Sequence, residues 1–292
     1  MSKPLGILTN FGDLDDNQRE LVRTALDGAN RSAGYGLCFH SDFPVGAAIY
    51  AANATGETRI FTGCNVENDY FPATICAERN AATTAALFGY TQFLAVAVFC
   101  RKYPGGSPCG LCRQVLNQFG RSAILLNVVD HDNNVRRATI GDLLPGAICE
   151  AQDFEHLGES DKRQVRKLVG LMSRCHVPYS KRPRAALFTA KNEKGNTRTF
   201  PGVSDDNASY GGSALAEAVA MRTARTAGFG NDVSLMITVE NPEGTNPIDG
   251  ECLQILREFG ADAPISLVGP DRRVIRSSLV ELLPDSFGPE SL

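Results

Sequence analysis

The chain reads as a regular exchange of apolar strands and half-apolar helices. Val45–Ala52 and Arg59–Cys64 are short apolar runs of strand length, and the alanine-rich segment 76–87 predicts a helix. A strand over 93–100, a helix over 109–119 and a strand over 123–130 follow. The runs 93–100 and 123–130 are apolar almost without interruption, as suits central strands covered by helices on both faces. Later in the chain Val165, Leu168, Val169 and Met172 fall at i, i+3, i+4 and i+7, the stripe of a helix with one buried face. A helix of this kind opens each half. The expected fold class is α/β, a three-layer α/β/α sandwich in each half.

The same plan occurs twice. Ser41-Asp42-Phe43-Pro44 is echoed by Ser180-Lys181-Arg182-Pro183, and Ala77-Glu78 by Ala216-Glu217. Gln118-Phe119-Gly120 is echoed by Glu258-Phe259-Gly260, and Asp142-Leu143-Leu144-Pro145 by Glu281-Leu282-Leu283-Pro284. Each echo lies 139 or 140 residues further on, a constancy that chance matches would not hold. The chain is a duplication with its seam in the polar run Glu150 to Lys162. The expected domains are 1–155 and 156–292.

Composition narrows the class. The 292 residues are 43% hydrophobic, enough for one large core or two ordinary ones. The net charge of −4 lacks the basic excess of a nucleic-acid binder, so no nucleic-acid partner is expected. The one basic run, Lys181-Arg182-Pro183-Arg184, reads as a solvated loop. Met1 to Asn10 lacks the pattern of a secretion leader, and no stretch approaches the roughly 20 apolar residues of a membrane span. A soluble cytoplasmic protein without a membrane partner is the expectation. Nine cysteines in such a chain read as thiols or metal ligands rather than a disulfide framework. Cys38, Cys100, Cys149 and Cys175 sit alone and read as ordinary packing.

Three other cysteines form a constellation. Pro108-Cys109-Gly110-Leu111-Cys112 places two sulfurs three residues apart at a helix start, since proline fits the first turn. Helix N-termini favour thiolates. By itself this motif serves a redox pair, a structural zinc or a catalytic zinc equally well. Cys76-Ala77-Glu78 adds a third thiol at a second helix start, with an acid two residues away. Three thiolates leave zinc one open position, the mark of a catalytic site. The competing arrangement is a structural zinc completed by His40 or Cys64.

These motifs resemble the cytidine deaminase family. Ser41 to Ala48 is similar to its opening strand, and Gly63-Cys64-Asn65-Val66-Glu67-Asn68 to its substrate segment. Cys76-Ala77-Glu78-Arg79 and Ser107-Pro108-Cys109-Gly110-Leu111-Cys112-Arg113-Gln114 are similar to its zinc segments. The whole resembles the two-domain form, although the ligand before Ala77 is cysteine, as in the single-domain form. The resemblance implies one Zn2+ per chain, held by Cys76, Cys109 and Cys112. It implies that Asn65 and Glu67 bond the ribose, that Phe43 and Ala77 lie against the nucleoside, and that Glu78 reads the pyrimidine edge and shuttles protons. Arg79 would offset the negative charge of zinc with three thiolates. The implied reaction is hydrolysis of cytidine and deoxycytidine to uridine and deoxyuridine plus ammonia, in pyrimidine salvage.

The second half is a degenerate copy. Leu215 stands at the place of Cys76, Asp249 at that of Cys109, Ala218 at that of Arg79 and Ser204 at that of Asn65; only Cys252 survives of the three thiols. Glu217 reads as a relic or a structural acid. Two stretches of this half are nonetheless closer to the family than the first half is: Asn207-Ala208-Ser209-Tyr210-Gly211 and Leu283-Pro284-Asp285-Ser286-Phe287-Gly288-Pro289. In the single-domain family such residues reach a neighbouring subunit's site. Tyr210 and Phe287 are therefore expected to help close the site, with a homodimer presenting the family's four domains. Competing functions are a zinc deaminase acting on polynucleotide cytosine or another aminopyrimidine, and a zinc scaffold without catalysis.

Overall fold

The computed structural model describes residues 5–146, 150–244 and 247–289. Cys149, read above as packing, lies outside them. The chain divides into two compact units, Met1–Leu144 with Asp285–Leu292, and Pro145–Pro284.

Unit 1 is built on a six-stranded sheet. Its strands are β1 (Ile7–Thr9), β2 (Val45–Ala52), β3 (Thr58–Cys64), β4 (Gln92–Cys100), β5 (Ile124–Val128) and β6 (Val135–Thr139), in the order β1-β6-β5-β4-β2-β3. Only β4 and β5 run parallel, and the helix α3 (Gly110–Gly120) makes their crossover. The helix α1 (Asp16–Gly34) covers one face, and α2 (Ala77–Leu87) and α3 the other. The predicted three layers are therefore present, with β4 at the centre and six of its residues in a row buried.

Two glycines set how closely the helices approach. A Cβ on Gly46 of β2 would lie 1.9 Å from the Ala25 carbonyl oxygen of α1. A Cβ on Gly63 of β3 would lie 2.3 Å from the Ala77 carbonyl oxygen of α2. The buried alanines Ala77, Ala81, Ala82 and Ala85 complete that contact. Helix α2 thus sits on β3 almost backbone to backbone, and its first turn is fixed against the sheet edge.

Unit 2 repeats the plan with five strands: β7 (Ala185–Asn192), β8 (Thr197–Val203), β9 (Phe229–Thr238), β10 (Pro264–Val268) and β11 (Val274–Ser278), ordered β11-β10-β9-β7-β8. Its main helices are α5 (Glu159–Leu171), α6 (Ala216–Thr226) and α7 (Gly250–Arg257). The expected stripe on α5 is seen: Val165 and Leu168 are fully buried, with Val169 and Met172 packed beside them. Gly202 plays the part of Gly63, its Cβ position 2.0 Å from the Ala216 carbonyl oxygen. Each unit ends its sheet on a capping box, Thr139 with Asp142 before the short helix α4 (Ile140–Leu143), and Ser278 with Glu281 before α8 (Leu279–Leu282).

The structure departs from the sequence reading in three places. The strand expected over 123–130 stops at Val128, because Asp130 folds into a turn and its Oδ1 accepts from the Asp132 and Asn134 backbone N–H groups. The antiparallel strands β6 and β11 that follow were not foreseen. The seam expected at 155 falls inside unit 2, whose boundary is at Leu144 and Pro145, and the C-terminal residues from Asp285 pack with unit 1. The cause is local: an Arg113 Nη2 donates to the Asp285 carbonyl at 2.7 Å, and the Phe287 ring packs on Phe43.

Among the described residues no helix is long and apolar enough to cross a membrane.

Candidate active site

Two helix N-termini meet in unit 1. Cys76 is the N-cap of α2 and Cys109 the N-cap of α3, with Cys112 one turn further along α3. The Sγ atoms of Cys76 and Cys109 are 3.9 Å apart, those of Cys109 and Cys112 are 3.5 Å apart, and all three lie within 4.8 Å of one another. Four sulfurs around zinc at about 2.3 Å would stand about 3.8 Å from each other, so the trio fits one such ion. No other group of three metal-ligating side chains of this kind is found among the described residues. The contacts among the sulfurs hold Cys109 well below its ordinary value and push Cys112 well above.

Glu78 is the second residue of α2, 4% exposed. Burial pushes its carboxyl up to about 7, and the neighbouring Cys76 adds to the shift. It lines a cavity of about 170 Å3 together with Ala77, Cys76 and Cys109. Phe43, Val45 and Phe287 supply apolar walls, and the Phe43 and Phe287 rings meet edge to face at 5.9 Å. A small, mostly apolar pocket with a few convergent polar groups is the usual form of a ligand site. The Cys76 Sγ also faces Arg79, whose Nη2 is 3.9 Å away and donates to the Thr74 carbonyl at 2.8 Å. The Arg79 Nε is buried without a hydrogen-bond partner.

The sequence-predicted residues divide in their placement. Cys76, Cys109, Cys112, Glu78, Ala77, Phe43, Asn65 and Phe287 come together around one cavity or its floor. Asn65 is buried and already committed: its Oδ1 accepts from Ser32 Oγ at 2.7 Å and Val45 N–H at 2.9 Å, and its Nδ2 donates to the Phe43 carbonyl at 2.9 Å. Glu67 turns to the His40–Ser41 turn, where its Oε2 accepts from the His40 N–H at 2.6 Å and its Oε1 from the Ser41 hydroxyl. Partial burial works against this carboxylate, but those bonds hold it below its usual range. Tyr210 lies in unit 2, 75% exposed beside Tyr179, and lines that unit's own cavity.

One residue was missed. Arg113, in α3 directly after Cys112, is fully buried, donating to the Pro108, Leu143 and Asp285 carbonyls and to Ser107 Oγ. A charged residue in a helix ordinarily reads as solvent-facing, so nothing beyond its place after Cys112 marks it in the sequence.

Unit 2 holds no thiol trio among its described residues. Glu217 is fully buried there, and the Arg184 Nη1 donates to its Oε1 at 3.2 Å and to the Asp249 Oδ2 at 2.5 Å. The basic run read as a solvated loop is thus corrected at Arg184. Its side chain is only 24% exposed, drawn inward by two carboxylates, whereas that of Arg182 is 79% exposed.

Residues 16–127 match the family model described as the cytidine and deoxycytidylate deaminase zinc-binding region. A cytidine deaminase of Sporosarcina psychrophila is 37% identical over 120 residues, covering 41% of this chain and 85% of that one. A cytidine deaminase of Vibrio parahaemolyticus is 25% identical over 252 residues, covering 81% of this chain and 79% of that one. A crystal structure of cytidine deaminase from Burkholderia pseudomallei is 32% identical, covers 45% of this chain and 98% of its own, and has a TM-score of 0.37.

Proposed function

The chain belongs to the cytidine deaminase family of hydrolases, and from that premise we propose that it converts cytidine and deoxycytidine to uridine and deoxyuridine with release of ammonia, in pyrimidine salvage. The observation that carries the reading is the buried carboxyl of Glu78 set beside three convergent thiols in a small, mostly apolar cavity. Cys76, Cys109 and Cys112 would hold one zinc ion per chain, and such an ion supplies the Lewis acidity that activates water. Glu78 takes one proton from the attacking water and gives it to the pyrimidine N3, then takes the remaining proton of the hydroxyl added at C4 and delivers it to the leaving amino group. Its burial suits this work, because a carboxyl that holds and releases a proton near neutrality can serve as both base and acid.

Arg79 faces the Cys76 sulfur and offsets the excess negative charge of three thiolates. Phe43 and Phe287 enclose the nucleoside and exclude water, and Ala77 brings the α2 backbone close to the ring. Asn65, through the second N–H of its Nδ2, and Glu67, after exchanging its bond to Ser41, take the sugar hydroxyls. The largely apolar cavity, with no basic side chain in its lining, suits a nucleoside better than a polynucleotide, whose backbone would call for a basic groove. We take 1–155 as the catalytic module and 156–292 as its degenerate copy in descent, acting in the cytoplasm as a homodimer.

The test is ammonia release over a nucleoside panel, with zinc measured on the same sample and the oligomer measured by sedimentation. Cytidine and deoxycytidine are expected to turn over with one zinc per chain. Glu78→Gln is expected to keep the zinc and lose about 10²- to 10⁴-fold in kcat. An unchanged rate in that variant, or no turnover of either nucleoside by the zinc-loaded wild type, rejects the mechanism.

A further inference from the structure

Unit 2 has kept a cavity where unit 1 has its thiol pocket. Ser180, Ser204, Ser213 and Ala216 line it, each 139 residues beyond Ser41, Asn65, Thr74 and Ala77 of the unit 1 pocket. It is the roomier of the two, about 400 Å3 against about 170 Å3. A copy that had lost all use for a ligand would be free to fill such a space with apolar side chains, since close packing is the ordinary state of an interior.

The lining has instead become polar in an ordered way. At the deep end Arg184 spends Nη1 on Asp249 and Glu217, while its Nε and Nη2 have no hydrogen-bond partner among the described residues. That leaves a donor edge for a ligand carbonyl. Along the wall Asp206 accepts from the Ser180 hydroxyl at 2.9 Å, repeating the bond of Glu67 to Ser41. Carboxylate and hydroxyl together suit sugar hydroxyls, which both donate and accept. At the mouth stand the rings of Tyr179 and Tyr210, 6.2 Å apart and 51% and 75% exposed. Exposed phenol rings at a cavity mouth offer faces for an aromatic ligand. The charges on the lining balance, Arg182 and Arg184 against Asp206 and Asp249, which favours a neutral ligand over a phosphate.

We infer that the unit 2 cavity binds a neutral nucleoside with ring carbonyls, of the uridine type, and does not convert it. Conversion is ruled out by the deep end: two of the three thiols are replaced by Leu215 and Asp249, and Glu217 is held by Arg184. The choice of a nucleoside draws on the activity proposed for unit 1, but the measurement does not depend on that activity.

The chain contains no tryptophan, so Tyr179→Trp places a single indole at the cavity mouth. Titrating this full-length variant with uridine is expected to quench its emission saturably, with half-saturation below about 1 mM. Uridine 5′-monophosphate is expected to bind at least tenfold more weakly. No quenching by uridine, or tighter binding of the monophosphate, overturns the inference. Because the indole itself alters the mouth, equilibrium dialysis of labelled uridine against the Cys76→Leu variant, with the unit 1 pocket plugged, provides a second reading. One uridine per chain is expected there, and none overturns the inference. If wild type deaminates cytidine while both readings are blank, only the second site fails; if both readings are positive without deamination, only the activity proposed for unit 1 fails.

Discussion

Units 1 and 2 share a scaffold down to single glycines and differ where the chemistry would be. Gly63 and Gly202 bring α2 and α6 equally tightly onto their sheet edges, each with a Cβ position within 2.3 Å of a helix carbonyl oxygen, and the second helical residue of each is a buried glutamate. A carboxylate taken out of water needs a cation or a proton. Unit 2 meets that need with Arg184, which occupies the place of Val45 and binds Glu217 and Asp249. Unit 1 keeps Val45 apolar and surrounds Glu78 with thiols, an arrangement that calls for a metal. The fold is therefore indifferent to the metal. A few residues around one buried acid decide whether the helix start is a reactive centre or an internal ion pair.

The sharpest way to break this contrast is to exchange those residues. Cys76→Leu gives unit 1 the side chain found at Leu215. Changing a group that merely orients a metal ligand costs 10- to 100-fold in affinity or activity, so deleting a ligand is expected to cost more than about 100-fold. Metal analysis should find zinc falling from one to near none per chain, with deamination lost alongside; full zinc occupancy would reject the three-cysteine assignment. The reciprocal change is Arg184→Val with Leu215→Cys and Asp249→Cys. Joined to Cys252, which is already buried in place, it recreates the trio. Zinc is expected to rise from one to two per chain, and a count that stays at one would mean that more than these residues separates the units.

How much of this was legible in the sequence depended on the kind of signal. The central strands were, because an uninterrupted apolar run has few alternatives. The α2 and α3 starts were, because Cys76, Pro108 and Cys109 mark them. Strand β6, with Arg136 and Arg137 in five residues, was not, since a strand near the edge of a sheet can keep one side in water. Nor were the burial of Arg113 and the inward turn of Arg184. In both, part of the burial depends on a partner distant in sequence, the Asp285 carbonyl at 172 residues for one and the Asp249 carboxylate at 65 for the other. Motif and periodicity record neighbours along the chain, and these bonds are not among them.

A smaller effect tests the ion pair of unit 2 directly. Arg184→Met leaves Glu217 buried without its cation, a change that typically costs about 3–5 kcal/mol. Burial already raises the Glu217 carboxyl above its ordinary value with Arg184 opposing the shift, so removing Arg184 raises it further. A carboxyl whose folded pKa exceeds its unfolded one lends stability that is complete below the unfolded pKa of about 4.3 and lost as pH rises through the folded one. The variant should therefore melt higher at pH 5 than at pH 8, with wild type less dependent on pH over that span. Equal melting temperatures at the two values would show that Glu217 does not rely on Arg184.

The smallest effect concerns the tail that rejoins unit 1. Phe287 meets Phe43 edge to face at 5.9 Å and lines the thiol pocket, whereas its counterpart in the first copy, Ile148, lies outside the described residues. The pocket proposed as catalytic thus takes one wall from the far end of the chain, anchored by the bond from Arg113 to the Asp285 carbonyl. An aromatic pair of this geometry is worth about 0.5–1.5 kcal/mol beyond its buried area. If the wall serves substrate binding, Phe287→Ala should raise KM by roughly two- to thirteenfold, the same energy expressed as a ratio, and leave zinc content unchanged. A fall in kcat at constant KM would place the ring in the chemical step instead. Unchanged kinetics with a lowered melting temperature would make Phe287 packing alone, and the two units would then differ only at their deep ends.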